Sequence, residues 1–536
     1  MTSRRGTTTG ASGSFVGDYP GSLTRKGNFA IAGRLALPLL VLALAALVYG
    51  LLYGFDGVLM RDYSIYLYSG QQLANGVPPY VSVFDHKGPL SPMIAGLGVL
   101  LSRLLGSDDV LTVRLLFFST ACLAVLAVYL LGKSVFRSKV VGFLAALTFL
   151  GFYPYAHPAA SGPEPKTPMV LFEALSLLFM VKKRWFWAGL FGSLAFLVWQ
   201  PMGIFVLATF VLAAARPKGE RVGASLRAVA GIAAPIVAVL AYFYYFGALR
   251  DLWDGVVLFN VLYVVRDMQF LTQVADAGGV IAETYTTLLV PIIIGLVMVL
   301  RLYFLRPYQH RFAPILLSFP AIFLWSLTDF QLSDDFFPFL PYVAIGFGAF
   351  LTLMIEHAET PRLVAGLLGV ILLALALGNT FAWVNADAAY AVKGTDISLS
   401  QQRQGALEVE KRLGENAKLA SINSPQVLVL LHRTNPNPYL FITAGVDREI
   451  EAQWPGGFEG WLQGLESNTD AIAFFGEGQS LLPTGHLTDV HQQEFNDLLD
   501  TSRYQTEKIG PWWLFVKDSS TASAESQQGG YSGTAG

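Results

Sequence analysis

The stretch from Arg61 to Leu90 gathers residues able to move a proton and to hold a phosphate: Arg61 and Asp62, then Tyr66, then Asp85, His86 and Lys87 ahead of Gly88. A carboxylate such as Asp62 is the type of group that takes a proton from an attacking hydroxyl. An ammonium such as Lys87 is the type that stabilises charge on a departing phosphate, with Arg61 and Arg266 as alternatives. Three further outlying stretches carry acids: SGPEPK, which contains Glu164; 248–284, with Asp251, Asp254 and Asp267 beside Arg250 and Arg266; and LSDDFF, which contains Asp334 and Asp335. Asp85, His86 and Glu164 are also metal-ligand types, so a divalent ion is one expectation here, though no tight spacing such as H-E-x-x-H accompanies them. Taken singly, an acid of this kind is usually a solvated loop charge; the set is the signal.

The elements that must position these groups are membrane helices. Hydrophobic residues make up 53% and charged residues 14% of the 536, well beyond the apolar share of a soluble domain. A net charge of -2 leaves no basic excess for nucleic acid, and the single cysteine, Cys122, has no internal disulfide partner. Residues 1–33 are rich in Ser, Thr and Gly and read as a disordered cytoplasmic tail. The run 35–54, about 20 residues, is long enough to cross roughly 30 Å of hydrocarbon and reads as a signal anchor.

Further spanning runs fall near 111–131, 140–157, 167–181, 185–200, 201–215, 226–247, 285–305, 312–328, 336–355 and 362–384. Clusters at Lys133/Arg137/Lys139, Lys182/Lys183/Arg184, Arg216/Lys218/Arg221 and Arg301/Arg306/Arg311 then fall at every second connection, as cytoplasmic loops should. That pattern holds only if the apolar segment 88–106 does not cross, so it reads as a juxtamembrane helix at the outer leaflet. The result is about 11 spans with the C-terminus outside. The loop 55–110 and the acids at 164, 334 and 335 then share the extracytoplasmic face.

The pattern Asp62-Tyr63, Tyr66, Leu73-Ala74-Asn75-Gly76, Pro79-Tyr80 and Asp85-His86-Lys87-Gly88-Pro89-Leu90 resembles the first extracytoplasmic loop of the GT-C glycosyltransferases, close to the protein O-mannosyltransferase and aminoarabinose transferase relatives. The resemblance extends to the second acidic loop, to FFPFLP after Asp335 and to the C-terminal region. The chain departs from the commonest form at Tyr63, where a second acid is usual, and at Gly88, where Pro is usual. The resemblance implies an α-helical polytopic GT-C-like membrane domain over 34–384 that transfers a sugar from a polyprenyl-phosphate carrier to a glycan, lipid or protein acceptor outside the cell membrane, with inversion. It implies Asp62 as base, Lys87 and Glu164 as further catalytic residues, and Arg61, Tyr66, Asp85, His86, Arg266, Asp334 and Asp335 as substrate contacts. No Walker loop supports a direct nucleotide donor. The rival reading is a transporter or flippase for a lipid-linked sugar. Transporters place ionisable groups near the midplane; here Glu173 alone lies within a span, away from its ends.

From about 385 to 518 the composition turns ordinary. Short β-type runs at 417–423, 439–445, 470–476 and 512–518 alternate with helical patterns near 400–415, 456–466 and 490–500, which predicts a small extracytoplasmic α/β domain. Residues 519–536 are Ser, Gly, Thr, Ala and Gln in the main and read as a disordered tail.

Overall fold

The computed structural model describes residues 23–53, 55–264, 270–305, 311–328, 330, 333–392, 398–475, 487–499 and 504–517. Helix α1 (Leu23–Tyr53) begins inside the segment expected to be disordered. The first loop contributes α2 (Arg61–Ala74) and α3 (Leu90–Leu105). The helices α4 (Asp109–Phe136), α5 (Lys139–Leu150), α6 (Tyr153–Ser161), α7 (Lys166–Val181), α8 (Trp185–Val198), α9 (Gly203–Ala214) and α10 (Lys218–Tyr245) follow. After them come α11 (Leu249–Trp253), a π-helical stretch Asp254–Val264, α12 (Phe270–Thr284), α13 (Leu289–Leu305), α14 (Ala313–Thr328), α15 (Leu340–Glu356) and α16 (Pro361–Val392).

Length and composition alone make four helical stretches fit to cross a membrane, Asp109–Phe136, Lys218–Tyr245, Asp334–Glu356 and Pro361–Ala382. A pair, Val274–Thr284 and Thr286–Leu302, passes the same test together but bends by 91°. Shorter apolar helices cover Leu35–Gly50, Leu90–Leu105, Lys139–Leu150, Trp185–Val198, Gln200–Ala214 and Ala313–Ser326. The fold is therefore α-helical and polytopic, with exposed Leu, Val and Phe side chains along these helices where lipid replaces water.

Local chemistry sets the breaks. Asp108 and Ser138 cap α4 and α5 by accepting from Leu111 N–H and Val141 N–H. The run 140–157 is two helices rather than one span, because the chain turns at Gly151 and Phe152 and re-enters at Pro154, where proline fits a helix start. Around α4 pack α5 and α7, and α15 packs against α5 and α13.

The C-terminal domain comprises α17 (Leu399–Leu413), β1 (Leu419–Ser421), α18 (Pro425–Leu431), α19 (Val446–Gln453), α20 (Gly457–Asn468), β2 (Ala471–Phe475), α21 (Asp489–Leu498), β3 (Tyr504–Ile509) and β4 (Trp512–Lys517). The sheet runs β1-β2-β4-β3, with β1 parallel to β2 and the other pairs antiparallel. Two sequence expectations fail. Residues 439–445 form no strand: Leu440 and Ile442 are buried as an extended connection in the domain core, so their apolar run reflects burial and not pairing. The strand Tyr504–Ile509 went unread because its alternation is dominated by Gln505, Glu507 and Lys508 on an edge. In addition, α16 runs past the expected domain boundary at 385.

Candidate active site

Asp62 lies in the first turn of α2, where the unsatisfied amides and the helix dipole favour a carboxylate. No side chain caps that helix, and the Asp62 carboxylate is met by Arg61 Nε at 2.9 Å, with both side chains about half exposed (49% and 45%). Next to Asp62 in α2, Tyr63 is buried, as is Tyr66 one turn further on. Burial holds both phenols well above their ordinary range, reinforced by the charge of Glu164 at Tyr63 and of Asp85 at Tyr66. Tyr63 occupies the place that a bulkier residue would demand at Gly162: a Cβ there would fall 2.7 Å from the Tyr63 side chain. The tyrosine that departs from the family pattern is thus packed under the second acidic loop.

The segment 85–88 is folded back on itself and clamped. Asp85 Oδ1 accepts from the N–H groups of His86 (2.7 Å) and Lys87 (3.2 Å). Tyr80 Oη donates to the Lys87 carbonyl at 2.6 Å, from a residue whose own φ is 68°, a strained setting for a tyrosine. The His86 carbonyl accepts from Gln200 (2.9 Å) and Asn260 (2.8 Å). Gly88 N–H donates to the Val198 carbonyl at 3.2 Å, and a Cβ at Gly88 would collide with the Leu197 carbonyl. Proline at 88 would lose that hydrogen bond and meet that carbonyl, which accounts for the second departure from the family pattern.

The Lys87 ammonium stands 5.9 Å over the Tyr66 ring. Burial pulls its pKa down, but Glu164, Asp62, Asp85 and Asp334 together leave it above the ordinary lysine value. His86 is pushed the other way, chiefly by burial and against the pull of Asp85. Glu164 sits in the turn before α7, its carboxylate accepting from Lys166 N–H at 3.2 Å. Burial first, and then the charge of Asp334, push its carboxyl up to about 7 against the opposing pull of Lys87 and Lys166. Lys166 itself is buried at the start of α7, 2.9 Å from Asp334 Oδ2 and 2.5 Å from Asp335 Oδ1, with its ammonium 5.3 Å over the Trp199 ring.

The first loop, the second acidic loop and the start of the Asp334–Glu356 helical stretch, far apart in sequence, thus converge on one charged cluster. It joins Asp62, Tyr66, Asp85, His86, Lys87, Glu164 and Asp334 by mutual field, with Asp335 held through Lys166. Arg266 lies outside the described residues. On the metal expectation, among the described residues no group of three His, Cys, Asp or Glu stands close enough together to hold an ion. Asp85 Oδ1 accepts from the amides of its own turn and stands 3.9 Å from His86 Nδ1, while Glu164 accepts from a backbone amide. Sequence reasoning passed over Lys166, Gln200 and Asn260 as site residues. The signal for Lys166 was present, since a lysine opening an apolar run needs a partner. Nothing in the sequence marks Gln200 or Asn260, whose role depends on a backbone carbonyl.

No family model matches the chain, and no curated protein matches it. Solved structures do. ArnT from Cupriavidus metallidurans bound to undecaprenyl phosphate superposes with a TM-score of 0.59 at 12% identity, over 91% of this chain and 99% of that one. The same protein in the apo state gives 0.60 at 11% identity, over 92% and 99%. The apo oligosaccharyltransferase of Archaeoglobus fulgidus gives 0.50 at 11% identity, over 83% of this chain and 70% of that one.

Proposed function

From a chain with the GT-C fold, we propose a membrane glycosyltransferase that moves a sugar from a polyprenyl-phosphate carrier to an extracytoplasmic acceptor with inversion. The observation that carries the reading is the gathering of Asp62 and Lys87 from the first loop with Glu164 from the second acidic loop, beside apolar helices. The fold match to a protein solved with undecaprenyl phosphate agrees with it.

In this reading the acceptor hydroxyl attacks the anomeric carbon from the face opposite the phosphate. The new carbon–oxygen bond forms as the sugar–phosphate bond breaks. Asp62 takes the hydroxyl proton, and the bonding pair leaves with the polyprenyl phosphate, whose added charge falls to Lys87. Arg61 orients Asp62 through their 2.9 Å pair. Glu164 holds an acceptor hydroxyl. Exposed Leu97, Leu101, Leu104 and Leu105 on α3 and exposed Tyr244 and Tyr245 at the end of α10 offer apolar surface to the carrier's tail.

The test is release of undecaprenyl phosphate by the purified chain from a panel of undecaprenyl-phosphate sugars. Asp62→Asn is expected to lower turnover on the order of 10² to 10⁴-fold with donor binding kept. Turnover within about twofold of the wild type would remove Asp62 from the base role.

The arrangement requires the C-terminal domain and Asp85 outside, and Lys183 with the Arg216/Lys218/Arg221 cluster in the cytoplasm. Single cysteines on a Cys122→Ser background check this orientation. Glu459, exposed on α20, is expected to label as cysteine in intact cells, and exposed Lys183 only after permeabilisation; the reverse pattern would invert the topology.

A further inference from the structure

Two lysines enter the charged cluster, and they are used differently. Lys166 is closed: its ammonium spans Asp334 and Asp335 and stacks on Trp199, and its side chain is 7% exposed. Lys87 is open: among the described residues no carboxylate lies within ion-pairing distance of its ammonium, although Glu164, Asp62, Asp85 and Asp334 all act on it. A cation in the field of four acids, with none of them paired to it, is unusual, since a buried charge gains most from a direct partner.

What keeps the acids off Lys87 is visible in the contacts. Asp62 is engaged by Arg61, and Asp85 by the amides of its own turn. Glu164 is turned to the Lys166 amide, and Asp334 and Asp335 to the Lys166 ammonium. Lys166 therefore accounts for three of the carboxyl groups, through its backbone for one and its side chain for two.

We infer that Lys166 is a positioning residue: it holds Asp334 and Asp335 at the start of α7 so that the Lys87 ammonium stays free for the phosphate of the donor. The inference rests on the transferase reading and deepens it. Without the Lys166 charge, Asp334 is a partly buried carboxylate that has lost its 2.9 Å ion pair, and Lys87 is the other lysine whose field it already shares. Its pairing with Asp334 would compete directly with phosphate.

The experiment is equilibrium binding of undecaprenyl phosphate to the purified full chain in detergent, with inorganic phosphate as a separate arm and with melting temperature and gel filtration as checks on folding. Lys166→Met is expected to weaken lipid binding about 10-fold or more, matching Lys87→Ala, and to raise the donor KM more than it lowers kcat. Lys166→Arg keeps the charge and is expected to bind within about 3-fold of the wild type. Lys166→Met/Asp334→Asn removes one charge of each sign, taking away the acid that shares a field with Lys87, and is expected to recover most of the affinity; it stands in for the single variant if that one does not fold. A folded Lys166→Met with wild-type affinity overturns the inference. So does a folded double variant no better than Lys87→Ala, which would make Lys166 a direct phosphate ligand. Inorganic phosphate displacing the lipid at equal concentration would place the affinity in the phosphate alone; displacement only at large excess assigns part of it to the tail. If the wild type and Lys87→Ala bind the lipid equally, the transferase reading itself fails. If they differ while Lys166→Met equals the wild type, only the role of Lys166 fails.

Discussion

The charged cluster and the seam where the C-terminal domain docks on the first loop are both polar and partly buried, yet they are finished differently. In the seam the groups are matched in pairs. Gln402 clasps the backbone of Leu59, accepting its N–H at 2.7 Å and donating to its carbonyl at 3.1 Å. Asp56 accepts from Ser400 N–H (3.0 Å) and Oγ (2.6 Å), and Asp108 takes two 2.8 Å bonds from Arg403. Tyr68 Oη accepts from Asn435 N–H at 2.8 Å, and Gln71 donates to Asp109 at 2.6 Å and to the Val429 carbonyl at 3.1 Å. In the cluster, acids outnumber cations, and among the described residues no carboxylate lies at ion-pairing distance from the Lys87 ammonium. A seam closed in this way gains stability and specificity of docking. A cluster left open is poised for a charge that arrives with a ligand. Asp56, an acid of the same loop as Asp62, belongs to the first kind, and so it is not a candidate base.

The contrast is sharpest between Lys87→Ala and Gln402→Leu. Lys87→Ala is expected to slow transfer on the order of 10² to 10³-fold, as loss of a positioned charge-stabilising donor does, with little change in melting temperature. Gln402→Leu leaves the Leu59 N–H and carbonyl buried without partners, at a cost of about 1–3 kcal/mol in stability, and should leave the donor KM where it was. Paired thermal melts and steady-state kinetics check both. If Gln402→Leu slowed turnover as much as Lys87→Ala at a temperature where it stays folded, the seam would be part of the chemistry and the comparison would break.

How much of this was legible in the sequence follows from the same contrast. Composition and charge placement read out the polytopic membrane fold, because lipid and the cytoplasmic charge bias act on each segment separately. Asp62, Lys87, Glu164 and Asp334 were legible because ionisable residues in apolar surroundings are few, and the structure does bring them together. The break at Gly151–Phe152 and the missing strand at 439–445 were not, since tertiary burial gives a helix, a strand and an extended core connection similar apolar runs over so short a length. The partners of Asp85 and His86 were not legible either. Asp85 accepts from backbone amides of its own turn, and the His86 carbonyl accepts from the distant amides of Gln200 and Asn260, contacts that no local pattern in the sequence marks.

The smallest expected effect is the one that asks whether the cluster is open in solution. Glu164 has an ordinary carboxyl value of 4.5 and is pushed up to about 7, first by burial and then by Asp334. Below pH 4.5 it is protonated folded or unfolded and contributes nothing to pH dependence. Between 4.5 and 7 the unfolded chain releases the proton while the folded chain keeps it, so stability falls as pH rises; above about 7 the penalty is constant. Glu164→Gln removes the titration, and its melting temperature relative to the wild type should therefore be more favourable at pH 8 than at pH 5. In kinetics, an ionised Glu164 that holds the acceptor hydroxyl gives the wild type a limb rising through pH 7, less than about 10-fold in total, that the glutamine variant lacks. A melting difference that does not change with pH would mean that Glu164 does not titrate there. The cluster would then be as closed as the seam, and the case for a waiting charge would rest on Lys87 alone.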